Sequence, residues 1–301
     1  MEQHTDAFVG LDVAKSRHAV AVADEMPPFD THEITRDVIA AQDRVGTLEP
    51  ITARYPEFDI SAAYVVARRV HEHRIAHGAQ AVGRKIGFTN AEMWTLFGVQ
   101  EPIWGYVYGH TLTEGAGRVA EFDLSRFLQP RIEPEIIVHF RDAPPPGASE
   151  PDLLACVDWV AHGFEIVQSH FPEWRFQAAD TITDAGLHAA LILGERVSVS
   201  QLGHNLLWTL AAFSVDLSCD GVKQDTGSGA NVLGNPISAV AHLLRILAAQ
   251  DGSPPIHAGE LITTGTLTKA FPIRPGERWE TEIHGIGLPG LAVQFLPSVE
   301  D

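Results

Sequence analysis

Hydrophobic periodicity changes once along this chain of 301 residues, at Gly78. Before it, Val38, Ile39, Ala41, Gln42 and Val45, then Ala62, Ala63, Val66, Ala67 and Val70, recur at three- and four-residue spacings. This predicts two amphipathic helices separated by Glu49-Pro50 and Tyr55-Pro56. After it come short apolar runs bounded by glycine and proline: 82–88, 103–108, 132–140, 191–193, 261–267 and 279–285. These read as strands. Helices are expected at about 150–170, behind the acidic start Glu150-Pro151-Asp152, and at 236–249. The second has an N-cap in Asn235, Pro236 at its first position, a stripe of Val240, Leu243, Leu244 and Leu247, and Gly252 beyond its end. The class is α+β: a helical N-terminal portion followed by a C-terminal mixed β domain.

Charge narrows the function. Twenty-one Lys and Arg against 39 Asp and Glu give a formal net charge of −18, which repels a phosphate backbone or an anionic bilayer, and no basic patch offsets it. Nucleic acid and membrane are therefore not expected partners, and no apolar run is read as reaching the length of a membrane helix. Cys156 and Cys219 form neither a CxxC pair nor a short disulfide framework, so a reducing cytoplasm is expected.

The segment Ile132-Glu133-Pro134-Glu135-Ile136-Ile137-Val138 carries the most chemistry. Two carboxylates two residues apart on a strand share a face, and in an apolar setting they repel strongly unless something positive sits between them. Oxygen ligands without a nearby cysteine select Mg²⁺ or Mn²⁺ over zinc. A solvated edge strand, to which Pro134 is suited, is the alternative. Glu165, flanked by Phe164, Ile166 and Val167, is a third candidate ligand; it could instead cap a helix or pair with an arginine. Three carboxylates fill half an octahedron and leave room for a bidentate 2-oxo acid and a water. Lys85 interrupts the run Val82-Gly83-Arg84-Lys85-Ile86-Gly87-Phe88-Thr89. It could position an acid or move a proton, or its stem could snorkel to the surface. Gly265 and Thr266, in Thr263-Thr264-Gly265-Thr266-Leu267-Thr268, could bind a carboxylate through amides and hydroxyls, though threonines also simply favour strands. His71-Glu72-His73 lacks the second histidine of a zinc-protease helix, the glycines of 227–234 are mis-spaced for a dinucleotide fingerprint, and no GxSxG elbow occurs.

Two resemblances enter here. Residues 1–25, with Phe8-Val9-Gly10-Leu11-Asp12-Val13 and His18-Ala19-Val20-Ala21-Val22, read as a hairpin similar to the opening of insertion-element transposases with a ribonuclease-H-like fold, where Asp12 would hold a metal. We read this stretch as a fused or mis-started leader, with Met26 as the natural start. From about Val45 to Phe295 the chain resembles the fumarylacetoacetate hydrolase superfamily, in its branch of 2-oxopent-4-enoate hydratases and 4-oxalocrotonate decarboxylases. The likeness rests on the ordered set Gly83-Arg84-Lys85-Ile86-Gly87-Phe88-Thr89, Glu133-Pro134-Glu135, Gly163-Phe164-Glu165-Ile166-Val167, Asp180-Thr181-Ile182-Thr183-Asp184, Gly234-Asn235-Pro236, Gly259-Glu260, Gly265-Thr266-Leu267-Thr268 and Pro275-Gly276-Glu277.

The resemblance implies a helical portion over 26–80 and a catalytic mixed β-roll over 81–301. It also implies Mg²⁺ or Mn²⁺ on Glu133, Glu135 and Glu165, a catalytic Lys85, substrate contacts from Gly265 and Thr266, and homo-oligomers. The implied activity is lyase chemistry in aromatic meta-cleavage catabolism on a small 2-oxo acid: hydration of 2-hydroxypenta-2,4-dienoate-type acids first, decarboxylation of 4-oxalocrotonate-type acids second. Carbon–carbon hydrolysis of acylpyruvates is third, and a catalytically inactive oxo-acid-binding protein is the non-enzyme alternative. Hydratases of the branch tend to carry an acid in a Pro-Asp-Phe-Gly segment, where this chain has Pro102-Ile103-Trp104-Gly105, more like the decarboxylases. The lid histidine of the hydrolases has no clear counterpart.

Overall fold

The carboxylate of Asp59 accepts a hydrogen bond from Ala62 N at 2.8 Å, starting the longest N-terminal helix, α3 (Ile60–Ala76). Before it lie α1 (Thr31–Arg44) and the single turn α2 (Ile51–Arg54). The computed structural model describes residues 29–91, 94, 99–115, 117 and 119–298. The chain divides into Met1–Asp30 and Thr31–Asp301, and the elements described here belong to the second unit. The hairpin expected within residues 1–25 lies outside the described residues.

Among the described residues the strands form two sheets. The larger contains β1 (Ala81–Gly87), β2 (Ile103–Tyr108), β3 (Leu112–Glu114), β5 (Arg131–Phe140), β6 (Val157–Val167), β7 (His188–Leu193) and β11 (Leu261–Thr266), in the order β2-β1-β11-β5-β6-β7-β3. The short β8 (Val197–Ser198) pairs with β6, and β12 (Phe271–Pro272) with β5. The smaller sheet runs β10-β9-β13-β14-β4, from β4 (Ala120–Phe122), β9 (Ser214–Cys219), β10 (Val222–Ser228), β13 (Arg278–His284) and β14 (Ala292–Phe295). His162 links the sheets: its Nδ1 bonds Glu135 O at 3.0 Å on β5, and its Nε2 bonds Thr281 Oγ1 at 2.8 Å on β13.

Ile136, Val138 and Phe140 pack with Val160, Ile262 and helix α7 (Pro236–Ala249), whose Val240, Leu243, Leu244 and Leu247 are buried. Asn235 caps that helix by accepting from Ile237 N at 2.8 Å, as the sequence predicts. Two expectations are corrected. The helix read over about 150–170 is only α4 (Glu150–Cys156). Val157 onward is β6, because β-branched and aromatic residues there are buried on both faces between two strands, an environment that overrides the helical start. The segment Gly229–Ala249 is, by length and composition, able to cross a membrane, contrary to the sequence reading; here most of it is buried as the core helix and its approach.

Candidate metal centre and active-site cavity

Strand pairing places the acids. In the antiparallel ladder of β5 and β6, Glu133 lies opposite Glu165, and Glu135 opposite Gly163. Like charges directly across a ladder destabilise it unless something compensates. On the other side of β5, β11 is irregular between Thr263 and Thr266. Gly265 sits there with φ +104°, where an added Cβ would come 1.9 Å from Thr89 Oγ1, so the position accepts glycine alone. This bend turns the Gly265 amide onto Glu135 Oε2, at 2.9 Å.

Ligand oxygens of Glu133, Glu135 and Glu165 all lie within 4.8 Å of one another. Glu135 and Glu165 are fully buried, while Glu133 is partly exposed to the cavity. Lys85, itself buried, places Nζ 3.2 Å from Glu165 Oε2 and donates to Gly186 O at 3.0 Å. That carbonyl is presented by three consecutive residues with positive φ, Ala185, Gly186 and Leu187; such strain persists only where the surroundings hold it, and it collects at functional sites. On its other oxygen, Glu165 meets His188 Nδ1 at 2.7 Å, and His188 Nε2 lies 2.9 Å from Thr111 Oγ1.

Protonation follows from these contacts. Burial works against the charge on Lys85, but attraction to Glu165, Glu133 and Glu135 outweighs it, so the ammonium is held more firmly than usual. Burial also disfavours charge on Glu165, yet Lys85 and His188 pull its pKa down to about 2. Glu133, desolvated and repelled by Glu165, is pushed up to about 7 in spite of Lys85. Glu135 rises well above the carboxylate range, from burial first and then from Glu165.

Three carboxylates against one ammonium leave two negative charges, the amount a single dication cancels. Glu135 Oε1 is buried without a hydrogen-bond partner, and Glu165 Oε2 has the Lys85 ion pair alone, although buried acceptors are ordinarily satisfied. The donor set is all oxygen. The residues present therefore fit a hard dication.

A cavity of about 1080 Å³ opens onto this cluster and is lined by Lys85, Glu133, Ile103, Gly265, Thr266 and Arg131, among others. Of the residues singled out in the sequence, Lys85 and the three glutamates meet. Gly265 is committed to Glu135, and the Thr266 hydroxyl donates to Thr268 O at 3.0 Å, beside the cavity. Ile103 is buried on β2 opposite Gly87, whose added Cβ would lie 3.1 Å from Ile103 Cγ1 and 3.8 Å from Lys85 Nζ. An apolar side chain thus stands near the ammonium. Asp180 and Asp184 bond to other groups: Asp180 accepts from Thr52 and from Gln177 N, and Asp184 from His170 and Gln42. Sequence reasoning missed His188 and Arg131. No spacing signals His188, since it reaches Glu165 only through the register of β6 and β7. Arg131 does carry a signal, because it stands two residues before Glu133 on the same strand face.

The family model described as fumarylacetoacetate (FAA) hydrolase C-terminal matches residues 117–292. A 2-hydroxyhexa-2,4-dienoate hydratase of Comamonas testosteroni is 31% identical over 250 residues, covering 83% of this chain and 91% of the relative. A 4-oxalocrotonate decarboxylase of Pseudomonas putida is 31% identical over 265 residues, covering 87% and 90%. Among solved structures, 4-oxalocrotonate decarboxylase from Pseudomonas putida G7, complexed with magnesium and adipate, superposes with a TM-score of 0.81 at 26% identity, over 88% of this chain and 97% of that one.

Proposed function

The chain belongs to the fumarylacetoacetate hydrolase family, and from that premise we propose that it is a metal-dependent lyase of small 2-oxo-4-enoate acids and their 2-hydroxydienoate tautomers. Hydration of a 2-hydroxypenta-2,4-dienoate-type acid is the first reading. The observation that carries it is the cluster of three carboxylates, two of them fully buried, beside a charged lysine, with Glu135 Oε1 left without a hydrogen-bond partner.

Glu133, Glu135 and Glu165 would hold the dication, Mg²⁺ or Mn²⁺ by the oxygen-only donor set; the related decarboxylase structure contains magnesium and adipate. When bound, the dication supplies an electrophile for the 1-carboxylate and 2-oxygen of the acid. Gly265 N fixes Glu135, and His188 fixes Glu165, so the carboxylates keep their orientation without substrate. Lys85 Nζ, kept protonated by its neighbours, donates to carbon 5 of the dienol while the 2-hydroxyl proton leaves to solvent, which gives the 2-oxo-3-enoate. Water then adds with its hydroxyl at carbon 4 and its proton at carbon 3, and Lys85 regains a proton from solvent. Gly186 O and Glu165 hold that ammonium in place. Thr266, on the cavity wall, contacts the substrate carboxylate.

Decarboxylation of a 4-oxalocrotonate-type acid is the second reading, favoured by Ile103 standing near Lys85 where a hydratase of the branch would offer an acid. Residues 26–80 are read as the helical support and 81–301 as the catalytic β-roll, in a cytoplasmic homo-oligomer. Mg²⁺-loaded protein incubated separately with 2-hydroxypenta-2,4-dienoate and 4-oxalocrotonate tests both readings. Loss of the dienol absorbance with the first acid is the expected result. Turnover of the diacid alone, with release of carbon dioxide, replaces hydration by decarboxylation, and turnover of neither removes the lyase reading.

A further inference from the structure

Lys85 lies in a slot that glycines keep open and one turn closes. Gly105 is its partner across the β1–β2 ladder. A Cβ on Gly105 would come within 2.6 Å of Ala185 O, so the bare backbone there lets residues 185–187 approach the strand. A Cβ on Gly186 would stand 3.0 Å from Lys85 Cδ. The turn therefore lies against the lysine stem, and Gly186 O meets Nζ at 3.0 Å.

That carbonyl needs holding in place. Ala185, Gly186 and Leu187 have φ of 55°, 64° and 67°, a left-handed backbone that costs free energy for the two residues with a Cβ. Asp184 closes the turn. Its O accepts from Leu187 N at 2.8 Å, and its N donates to Asp180 O and Thr181 O, each at 3.2 Å. Its buried carboxylate is pinned from two sides: His170 Nδ1 is 2.8 Å from both oxygens, and Gln42 Nε2, on α1, donates to Oδ1 at 3.1 Å. His170 is itself buried, and its O accepts from Leu48 N at 2.7 Å, in the chain that follows α1. The N-terminal portion thus reaches the turn through Gln42 directly and through Leu48 by way of His170.

We propose that Asp184, His170 and Gln42 are positioning residues for Lys85: they fix the left-handed turn whose Gly186 O aims the ammonium at the substrate, so the helical portion sets the rate of the step that Lys85 serves. The inference rests on the reading of Lys85 as proton donor, and it applies to whichever acid the wild type turns over.

The test uses the full chain loaded with Mg²⁺ and whichever of 2-hydroxypenta-2,4-dienoate and 4-oxalocrotonate it turns over, with kcat counted per folded molecule. His170→Ala should lower kcat and kcat/KM together by at least about tenfold, the scale of a misplaced catalytic group, while KM and Mg²⁺ affinity stay within about twofold. His170→Asn, whose amide nitrogen is as many bonds from the backbone as Nδ1, should recover most of the loss. Thr52→Val is the control: it strips a donor from buried Asp180 and lowers stability without touching the turn, so its kcat should stay at the wild-type value. If His170→Ala does not fold, Gln42→Leu carries the test from a half-buried position, with an expected fall of about threefold in kcat alone. An unchanged kcat in the folded one of these two variants, an equal fall in Thr52→Val, a loss carried by KM, or no recovery in His170→Asn overturns the assignment and leaves the lyase reading standing. Turnover by Lys85→Met at the wild-type rate overturns the role of Lys85, and turnover of neither acid by the wild type overturns the lyase reading; each removes the assignment with it.

Discussion

Two groups of buried acids lie in this molecule, and they differ in what surrounds their oxygens. Asp180 accepts from Thr52 N at 3.0 Å, Thr52 Oγ1 at 2.7 Å and Gln177 N at 2.8 Å. Asp184 accepts from His170 Nδ1 at 2.8 Å and from Gln42 Nε2 at 3.1 Å. These donors come from α1, α2 and the approaches to α5 (Ala178–Thr183), so the two aspartates fasten the N-terminal helices to the rest of the unit. Glu133, Glu135 and Glu165 are gathered as tightly, but they face one another, with one lysine against Glu165 and Glu135 Oε1 without a hydrogen-bond partner. Burial is common to both groups. Unmet charge belongs to the glutamates alone, and it separates a site from a clamp.

The contrast can be broken from either side. Asp184→Ala removes one partner of a buried pair and should cost about 3–5 kcal/mol in denaturant unfolding, while the folded fraction keeps its affinity for Mg²⁺; a loss of metal binding without loss of stability would place Asp184 in the site. Glu165→Gln keeps the shape and removes a charge. It should lower Mg²⁺ affinity by more than about a hundredfold in calorimetry, beyond what loss of a supporting partner costs, and an unchanged affinity would exclude Glu165 from the metal shell.

The smallest effect concerns pH. Protons and the dication compete for Glu133, whose carboxyl is pushed up to about 7, and for Glu135, which burial raises well above the carboxylate range. Lowering the pH below 7 fills these groups with protons, so Mg²⁺ affinity should fall by about tenfold per unit for each proton displaced. Affinity that stays flat between pH 8 and 6 would mean the carboxylates are already ionised without metal.

Much of the centre was legible in the chain. Glu133 and Glu135 share a strand face by the period of two, and Lys85 stands out within an apolar, glycine-bordered run. The capped helix over Pro236–Ala249 was equally plain. Glu165 was legible as a buried acid but sat in a segment read as helix, because Glu150-Pro151-Asp152 announces a helix start and the strand signal begins only at Val157. The strands Ser214–Cys219 and Val222–Ser228 were missed, since their polar, half-exposed faces carry little apolar pattern.

The sequence by itself determined which side chains could do chemistry: the spacing of Glu133 and Glu135, the lone lysine, the glycine at 265 and the absence of thiol ligands are local facts. Tertiary structure decided which of the chain's acids meet, because antiparallel register sets Glu165 across from Glu133 and brings His188 behind it. It also ties Asp180 and Asp184 to Thr52, Gln42 and His170. The physical reason is that a carboxylate's role depends on the donors and charges within a few ångströms of its oxygens. Those neighbours come from residues as far apart in the chain as Lys85 and Glu165, so only the folded backbone assigns them.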